Sequence, residues 1–170
     1  MGLKRGLIHV YTGSGKGKTS AALGLCLRAV GRGLRCCFIQ FLKGVPTGEL
    51  SAASLLPGFE IYQMGRPDYD FKVKPEDFKR AEEALNLAKE KAKEVDVLVL
   101  DEVNVAMSLG LIPVKEVLAL IEGKPPSLEV VLTGRGAPRE VIEVADYVTN
   151  FQLIKHPFYG GEAARKGIDY

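Results

Sequence analysis

Gly13-Ser14-Gly15-Lys16-Gly17-Lys18-Thr19 stands between a β-branched, apolar run, Leu7-Ile8-His9-Val10-Tyr11, and an Ala/Leu-rich run with helical spacing, Ala21 to Val30. Strand, glycine-rich turn, Gly-Lys-Thr and helix together make the phosphate-binding P-loop arrangement. Glycines let the backbone curl so that several N–H groups converge on phosphate oxygens, at a helix N-terminus whose dipole favours anions. In this reading Lys18 neutralises phosphate charge and the Thr19 hydroxyl sits where a magnesium ion is held. Thr12 occupies the position where the usual pattern begins with Gly, so the loop is a variant. The alternative is a glycine-rich turn with a chance Gly-Lys-Thr, against which the flanking strand and helix argue.

The 170 residues are enough for one α/β domain, expected to span 1–170, and too few for two ordinary ones. Hydrophobic residues at 46% and charged residues at 26% fit a globular chain. A net charge of +2 without a basic run excludes nucleic acid as an expected partner, and Lys and Glu alternate between Glu76 and Glu94 as on a solvated face. Met1 to Gly6 lacks the apolar core of a signal peptide, and Gly6 occupies the Ser/Thr position of a myristoylation signal. No run is long enough to cross a membrane, so no membrane partner and a cytoplasmic location are expected. Three cysteines without paired spacing argue against a disulfide framework, and the adjacent Cys36 and Cys37 read as small buried hydrophobes on opposite faces of a strand.

Along the chain, Lys18 to Arg32 reads as a helix stopped by Gly31 and Gly33, and Leu34 to Leu42 as a strand apolar on both faces. A loop, a short helix over Glu49–Leu56 and a strand over Phe59–Met64 follow, then a breaker-rich loop, Gly65 to Phe71. Pro75 opens a helix to about Val95, with Phe78, Ala81, Leu85, Ala88 and Ala92 as its core stripe. Val95 to Glu102 is a strand. Val103–Leu109 and Pro113–Ile121 are helices, Leu128–Leu132 a strand, Pro138–Ala145 a helix and Asp146–Leu153 a last strand, before a tail to Tyr170. This alternation predicts an α/β, single-domain P-loop (RecA-like) fold with a mainly parallel sheet and helices on both faces.

In such sheets ligands collect at the carboxyl ends of the strands, and four polar groups fall there: the P-loop, Gln40 to Lys43, Asp101-Glu102 and Thr133 to Gly136. Asp101 and Glu102 end an apolar strand and suit a magnesium ion opposite Thr19, though strand ends also carry acids merely because they meet solvent. Arg135 lies between two glycines that leave room for its guanidinium to reach a phosphate, or it is an ordinary turn residue. Lys43 is as readily a solvated lysine, His9 reads as a packed core residue, and His156 stays open. No Ser/His/Asp set stands out. The residues alone thus lead to a magnesium-dependent nucleotide-binding domain. A kinase or ATPase cutting at the γ-phosphate and a non-catalytic nucleotide-responsive module are its rival uses.

The wording of the motifs goes further. Thr12-Gly13-Ser14-Gly15-Lys16-Gly17-Lys18-Thr19-Ser20-Ala21-Ala22 resembles the P-loop of the corrinoid (cob(I)alamin) adenosyltransferases of cobalamin synthesis and salvage. The resemblance continues through Arg28-Ala29-Val30-Gly31, Gln40-Phe41-Leu42-Lys43-Gly44, Leu100-Asp101-Glu102, Thr133-Gly134-Arg135-Gly136, Ala145-Asp146, Lys155-His156 and Gly167-Ile168-Asp169-Tyr170. It implies transfer of the 5′-deoxyadenosyl group of ATP to the cobalt of a reduced corrinoid, cob(I)alamin or cob(I)yrinic acid a,c-diamide, with release of inorganic triphosphate. It also implies a nucleotide held in reversed orientation, an electron donor such as a flavoprotein, and a homodimer. Carried over, Gly13, Ser14, Gly15, Lys16, Gly17, Lys18, Thr19 and Ser20 grip the triphosphate with Arg135 beside them, and Thr19 and Glu102 hold magnesium with Asp101 in support. Tyr69 and Phe71 are the candidates for shutting out the lower cobalt ligand, on a loop without the family's Gly-Phe-Thr-Trp wording. Asn104 stands where an aromatic commonly follows the acids, and the early P-loop predicts that the family's N-terminal arm is missing.

Overall fold

The computed structural model describes residues 2–70 and 72–170. Its centre is a six-stranded sheet in the order β3-β2-β4-β5-β1-β6, with every pairing parallel. The strands are β1 (Ile8–Thr12), β2 (Cys36–Gln40), β3 (Phe59–Gln63), β4 (Val97–Asp101), β5 (Glu129–Thr133) and β6 (Tyr147–Asn150). The helices are α1 (Lys18–Val30), α2 (Gly48–Ala53), α3 (Pro75–Lys91), α4 (Val103–Ser108), α5 (Val114–Glu122) and α6 (Arg139–Val144), with a 3-10 turn over Pro157–Gly160.

Burial on both faces explains why β2 and β4 are apolar without alternation, since successive side chains of a strand point to opposite sides. Cys37, Ile39, Leu98, Leu100, Val130 and Leu132 meet residues of α3, α4, α5 and α6 in one core. Cys36, Phe38, Val97, Val99 and Val131 meet Ala22, Cys26 and Ala29 of α1 in the other. The neighbouring cysteines therefore separate as expected, and burial pushes the Cys37 thiol up to about 12, which keeps it protonated and inert.

Element boundaries shrink at several ends. α3 stops at Lys91 and continues as turns rather than as helix to Val95, so Lys93 lies outside its last turn. Its core stripe begins at Ala81. Phe78, expected in that stripe, is 46% exposed, because the first turn of α3 is tied by Asp77 to the preceding loop instead of packing on the sheet. β6 is only four residues long and exposed throughout, an edge strand that Phe151 prolongs through one hydrogen bond to the Thr12 carbonyl, 2.8 Å.

Parallel register sets the functional end of the sheet. Gln40 lies beside Asp101, and Tyr11 beside Thr133, so the last residues of β1, β2, β4 and β5 form one polar edge under the N-terminus of α1.

Candidate active site

The loop between β1 and α1 is glycine-rich because another segment crosses close behind it. A Cβ on Gly13 would lie 2.2 Å from Asn150 Oδ1, and one on Gly15 would lie 2.7 Å from the Phe151 carbonyl oxygen. The Gly15 N–H uses that proximity to donate to the same carbonyl, at 2.6 Å. Thr12 makes a contact that glycine could not, since its hydroxyl accepts from the Ala137 N–H at 3.3 Å and ties the end of β1 to the loop that follows β5.

Lys18 opens α1 and folds back over the loop, its Nζ donating to the carbonyls of Gly13 at 2.7 Å and Gly15 at 2.8 Å. Burial lowers its pKa from the ordinary lysine value, while the carboxylates of Glu102 and Asp101 work the other way. Thr19 follows, and its hydroxyl donates to Asp101 Oδ1 at 2.8 Å. Thr133 donates to the same oxygen at 2.7 Å, and Gln40 Nε2 reaches Oδ2 at 3.4 Å. Asp101 is fully buried, and burial raises its pKa more than these hydrogen bonds and the charge of Lys43 lower it.

Glu102 has φ 63°, the one positive value for a non-glycine among the described residues. The left-handed step turns the chain from β4 into α4 and is held by the Glu102 N–H donating to the Thr133 hydroxyl at 3.0 Å. Its carboxylate lies over Gly134, where a Cβ would come within 3.2 Å of Glu102 Oε2. Burial raises the Glu102 pKa, Asp101 adds to the rise, and Lys18, Lys43 and Arg135 oppose it. Asn104 is buried in the first turn of α4 and donates to the Gly134 carbonyl at 3.2 Å, so the residue that departs from the expected aromatic anchors the glycine beside Arg135. Its Oδ1 has no partner among the described residues.

These groups face a cavity of about 720 Å³ lined by residues 14–20 of the P-loop, Lys43, Glu49, Glu102 and Arg135. Of the residues expected in the site, Ser14 to Ser20, Lys43, Glu102 and Arg135 reach this lining, whereas Gly13, Gln40, Asp101, Thr133, Gly134 and Gly136 are not part of it. Lys43 is a cavity residue as well as a partly exposed lysine, 3.4 Å from Glu49 Oε1. His9 is elsewhere, on β1 beside the edge strand β6, its side chain largely buried, with Nε2 at 2.5 Å from Glu129 Oε1 and its ring stacked on Tyr147. The remaining wall comes from a segment without periodicity in the sequence, residues 156–170, including His156, Phe158, Arg165 and Asp169. Asp169 pairs with Lys16 of the P-loop. The pairing of a tail acid with a loop lysine was the signal that sequence order hid.

Tyr69 lies outside this lining, half-buried on the loop after β3, with the Arg66 guanidinium carbon 5.5 Å from its ring centre. Phe71 lies outside the described residues. Arg66, missed in the sequence, organises that loop. Its side chain is buried, with Nε 2.7 Å from Asp77 Oδ1, Nη1 3.0 Å from Asp68 Oδ1 and Nη2 2.9 Å from the Lys72 carbonyl. A single arginine among Asp68, Asp70, Glu76 and Asp77 was the pattern that could have revealed it.

The sequence model of a family described as ATP:corrinoid adenosyltransferase BtuR/CobO/CobP matches residues 4–170. A corrinoid adenosyltransferase of Pseudomonas aeruginosa is 37% identical over 172 residues, covering 98% of this chain and 85% of that protein. One from Sinorhizobium sp is 38% identical over 174 residues, covering 98% and 81%, and one from Escherichia coli K12 is 37% identical over 172 residues, covering 98% and 87%.

Proposed function

The chain belongs to the ATP:corrinoid adenosyltransferase family, and from that premise we propose that it transfers the 5′-deoxyadenosyl group of ATP to the cobalt of a reduced corrinoid. The family match along nearly the whole chain carries this reading, and the cationic wall of the cavity supports it: Lys16, Lys18, Lys43 and Arg135 all line one space at the strand ends. In the reaction the reduced cobalt supplies an electron pair to the ribose 5′ carbon. The cobalt–carbon bond forms, the carbon–oxygen bond breaks, and inorganic triphosphate leaves with the bonding pair. A substrate that is itself the nucleophile needs no protein nucleophile, so the chain has to orient the 5′ carbon and stabilise the leaving group. The N–H groups and side chains of residues 13–20 take the triphosphate, with Lys18 as the main cation and Arg135 beside it. One domain, residues 1–170, carries the whole site.

The donor set suits a magnesium ion, because Thr19, Glu102 and Asp101 offer only oxygen atoms and the pKa of both acids is raised where cationic charge is short. Among the described residues no three His, Cys, Asp or Glu side chains gather to hold a metal alone, which fits an ion completed by phosphate oxygens. Thr19 and Glu102 would hold it, with Asp101 orienting Thr19. Bound there, magnesium supplies charge neutralisation to the departing triphosphate.

In this reading Tyr69, together with Phe71 outside the described residues, is a candidate for contacting the corrinoid, and reduction draws on an electron-donor protein such as a flavoprotein. The exposed edge strand β6, with Tyr147 and Val148 uncovered, supports a homodimer. No helix among the described residues is long and apolar enough to cross a membrane, and a cytoplasmic location is part of the proposal. The test is to incubate the protein with ATP, magnesium and chemically reduced cobalamin and identify the products. Adenosylcobalamin with inorganic triphosphate is expected, and ADP as the sole phosphate product would overturn the reading.

A further inference from the structure

The wall that the tail adds to the cavity is a preformed turn. The N–H groups of Ile168 and Asp169 donate to the Arg165 carbonyl at 3.2 and 2.8 Å, and the Gly167 N–H donates to the Tyr170 carbonyl at 2.8 Å. Gly167 makes the reversal possible with φ 78°. Asp169 Oδ2 accepts from the Arg165 N–H at 2.9 Å and from Arg165 Nε at 3.2 Å. Its other oxygen pairs with Lys16, and that ion pair ties the turn to the P-loop. Three donors converging on Asp169 hold its carboxyl well below the usual carboxylate range, Lys16 contributing most.

One carboxylate thus joins a P-loop lysine to a tail arginine, and both cations line the cavity that the phosphates would enter. Carboxylate and phosphate are recognised by Lys and Arg through the same charge-assisted hydrogen bonds, so Asp169 holds the place of a phosphate oxygen. It cannot stay there cheaply once a triphosphate arrives, since like charges sharing a cation repel. Lys16 and Arg165 keep half of their side-chain surface exposed, and exposed ion pairs are weak enough to exchange.

We propose that Arg165 is a further phosphate-binding residue and that the segment after it, residues 167–170, is a strap which triphosphate displaces. Asp169 neutralises Lys16 and Arg165. Incoming triphosphate takes both cations, Arg165 stays on the phosphates, and Asp169 with its neighbours in residues 167–170 swings away from the P-loop. This rests on the reading that the cavity receives the triphosphate of ATP. Tyr170, which also lines the cavity, then moves with this segment and opens the cavity for entry and product exit.

Inorganic triphosphate is the probe, because it tests the phosphate contacts without corrinoid chemistry. Calorimetric titration of the full chain should give binding about three- to fivefold tighter for Asp169→Asn and several-fold weaker for Arg165→Ala, the scale of exposed ion pairs. In the unsubstituted chain, triphosphate should speed tryptic cleavage after the exposed Lys166, read by mass spectrometry, as residues 167–170 detach. Weaker or unchanged binding by Asp169→Asn, undiminished binding by Arg165→Ala, or slower cleavage with triphosphate would each overturn the strap. No binding by any of the three proteins would overturn the phosphate-site reading together with the strap, whereas binding that ignores Asp169 overturns the strap alone.

Discussion

Asp101 and Arg66 are both buried ionic side chains, and the two regions around them compensate charge in opposite ways. Asp101 is surrounded by neutral donors, Thr19, Thr133 and Gln40, and its pKa is pushed up. Arg66 is surrounded by carboxylates, with Asp77 at 2.7 Å, Asp68 at 3.0 Å, Glu76 at 3.4 Å and Asp70 at 3.5 Å. The strand-end acids are short of positive charge, the condition expected of a site completed by an incoming ligand. The arginine has more negative charge than it needs, the condition of a pin that fixes a loop. In the proposed reading one region trades stability for chemistry, and the other holds its loop in place.

The largest effect should follow removal of Lys18. Lys18→Ala takes away the buried ammonium at the head of α1, and turnover should fall by roughly 10²–10³-fold, the usual loss for a group that stabilises developing charge. Its hydrogen-bond partners are loop carbonyls, so the fold should survive, as judged by an unchanged circular dichroism spectrum. Near-normal turnover would break the assignment of this region as the phosphate site.

Glu102→Gln should lower turnover by about 10–10²-fold and yet raise stability, which sharpens the contrast with Arg66. The sign follows from the raised pKa, caused first by burial and then by Asp101. A carboxyl whose folded pKa lies above the ordinary value of 4.5 destabilises the fold increasingly as pH rises from there to the folded pKa, and not below. The amide removes that penalty, so the melting temperature without ligand should rise by about 2–4 °C for each kcal/mol relieved, and more at pH 8 than at pH 5. A lower melting temperature at pH 8 would show that Glu102 is already compensated.

Much of the first region was legible because it is local or set by register. The strand, glycine turn and helix around Lys18 lie within one contiguous stretch, and parallel pairing brings Gln40, Asp101 and Thr133 to the same edge. The core placement of Cys36 and Cys37 followed from strand alternation in the same way. The wording of Gly167 to Tyr170 pointed to the family, but the contacts of the tail and of the loop after β3 were not legible, because they are made by long side chains that no periodicity reports. Lys16 and Asp169 are 153 positions apart in the chain. Arg66 reaches eleven positions onward to Asp77, and that contact, by drawing the start of α3 toward the loop, is also why Phe78 fails to join the helix's core stripe.

Arg66→Lys tests that second region with the smallest change in charge. A lysine keeps the positive charge but offers one compact ammonium where the guanidinium fork serves Asp77, Asp68 and the Lys72 carbonyl in different directions. The acids left without a donor then repel one another, and Asp77 loses its buried partner while still capping the start of α3 through the Lys74 N–H. The melting temperature should drop and the loop over residues 65–74 should become the first site of proteolysis. Triphosphate affinity should stay within about twofold, as expected for sites that share no partner. The KM for the corrinoid should rise, since Tyr69, stacked near the guanidinium, loses its support. A parallel loss of triphosphate affinity would mean that the pinned loop and the phosphate site are one coupled unit, and the separation between the two regions would fail.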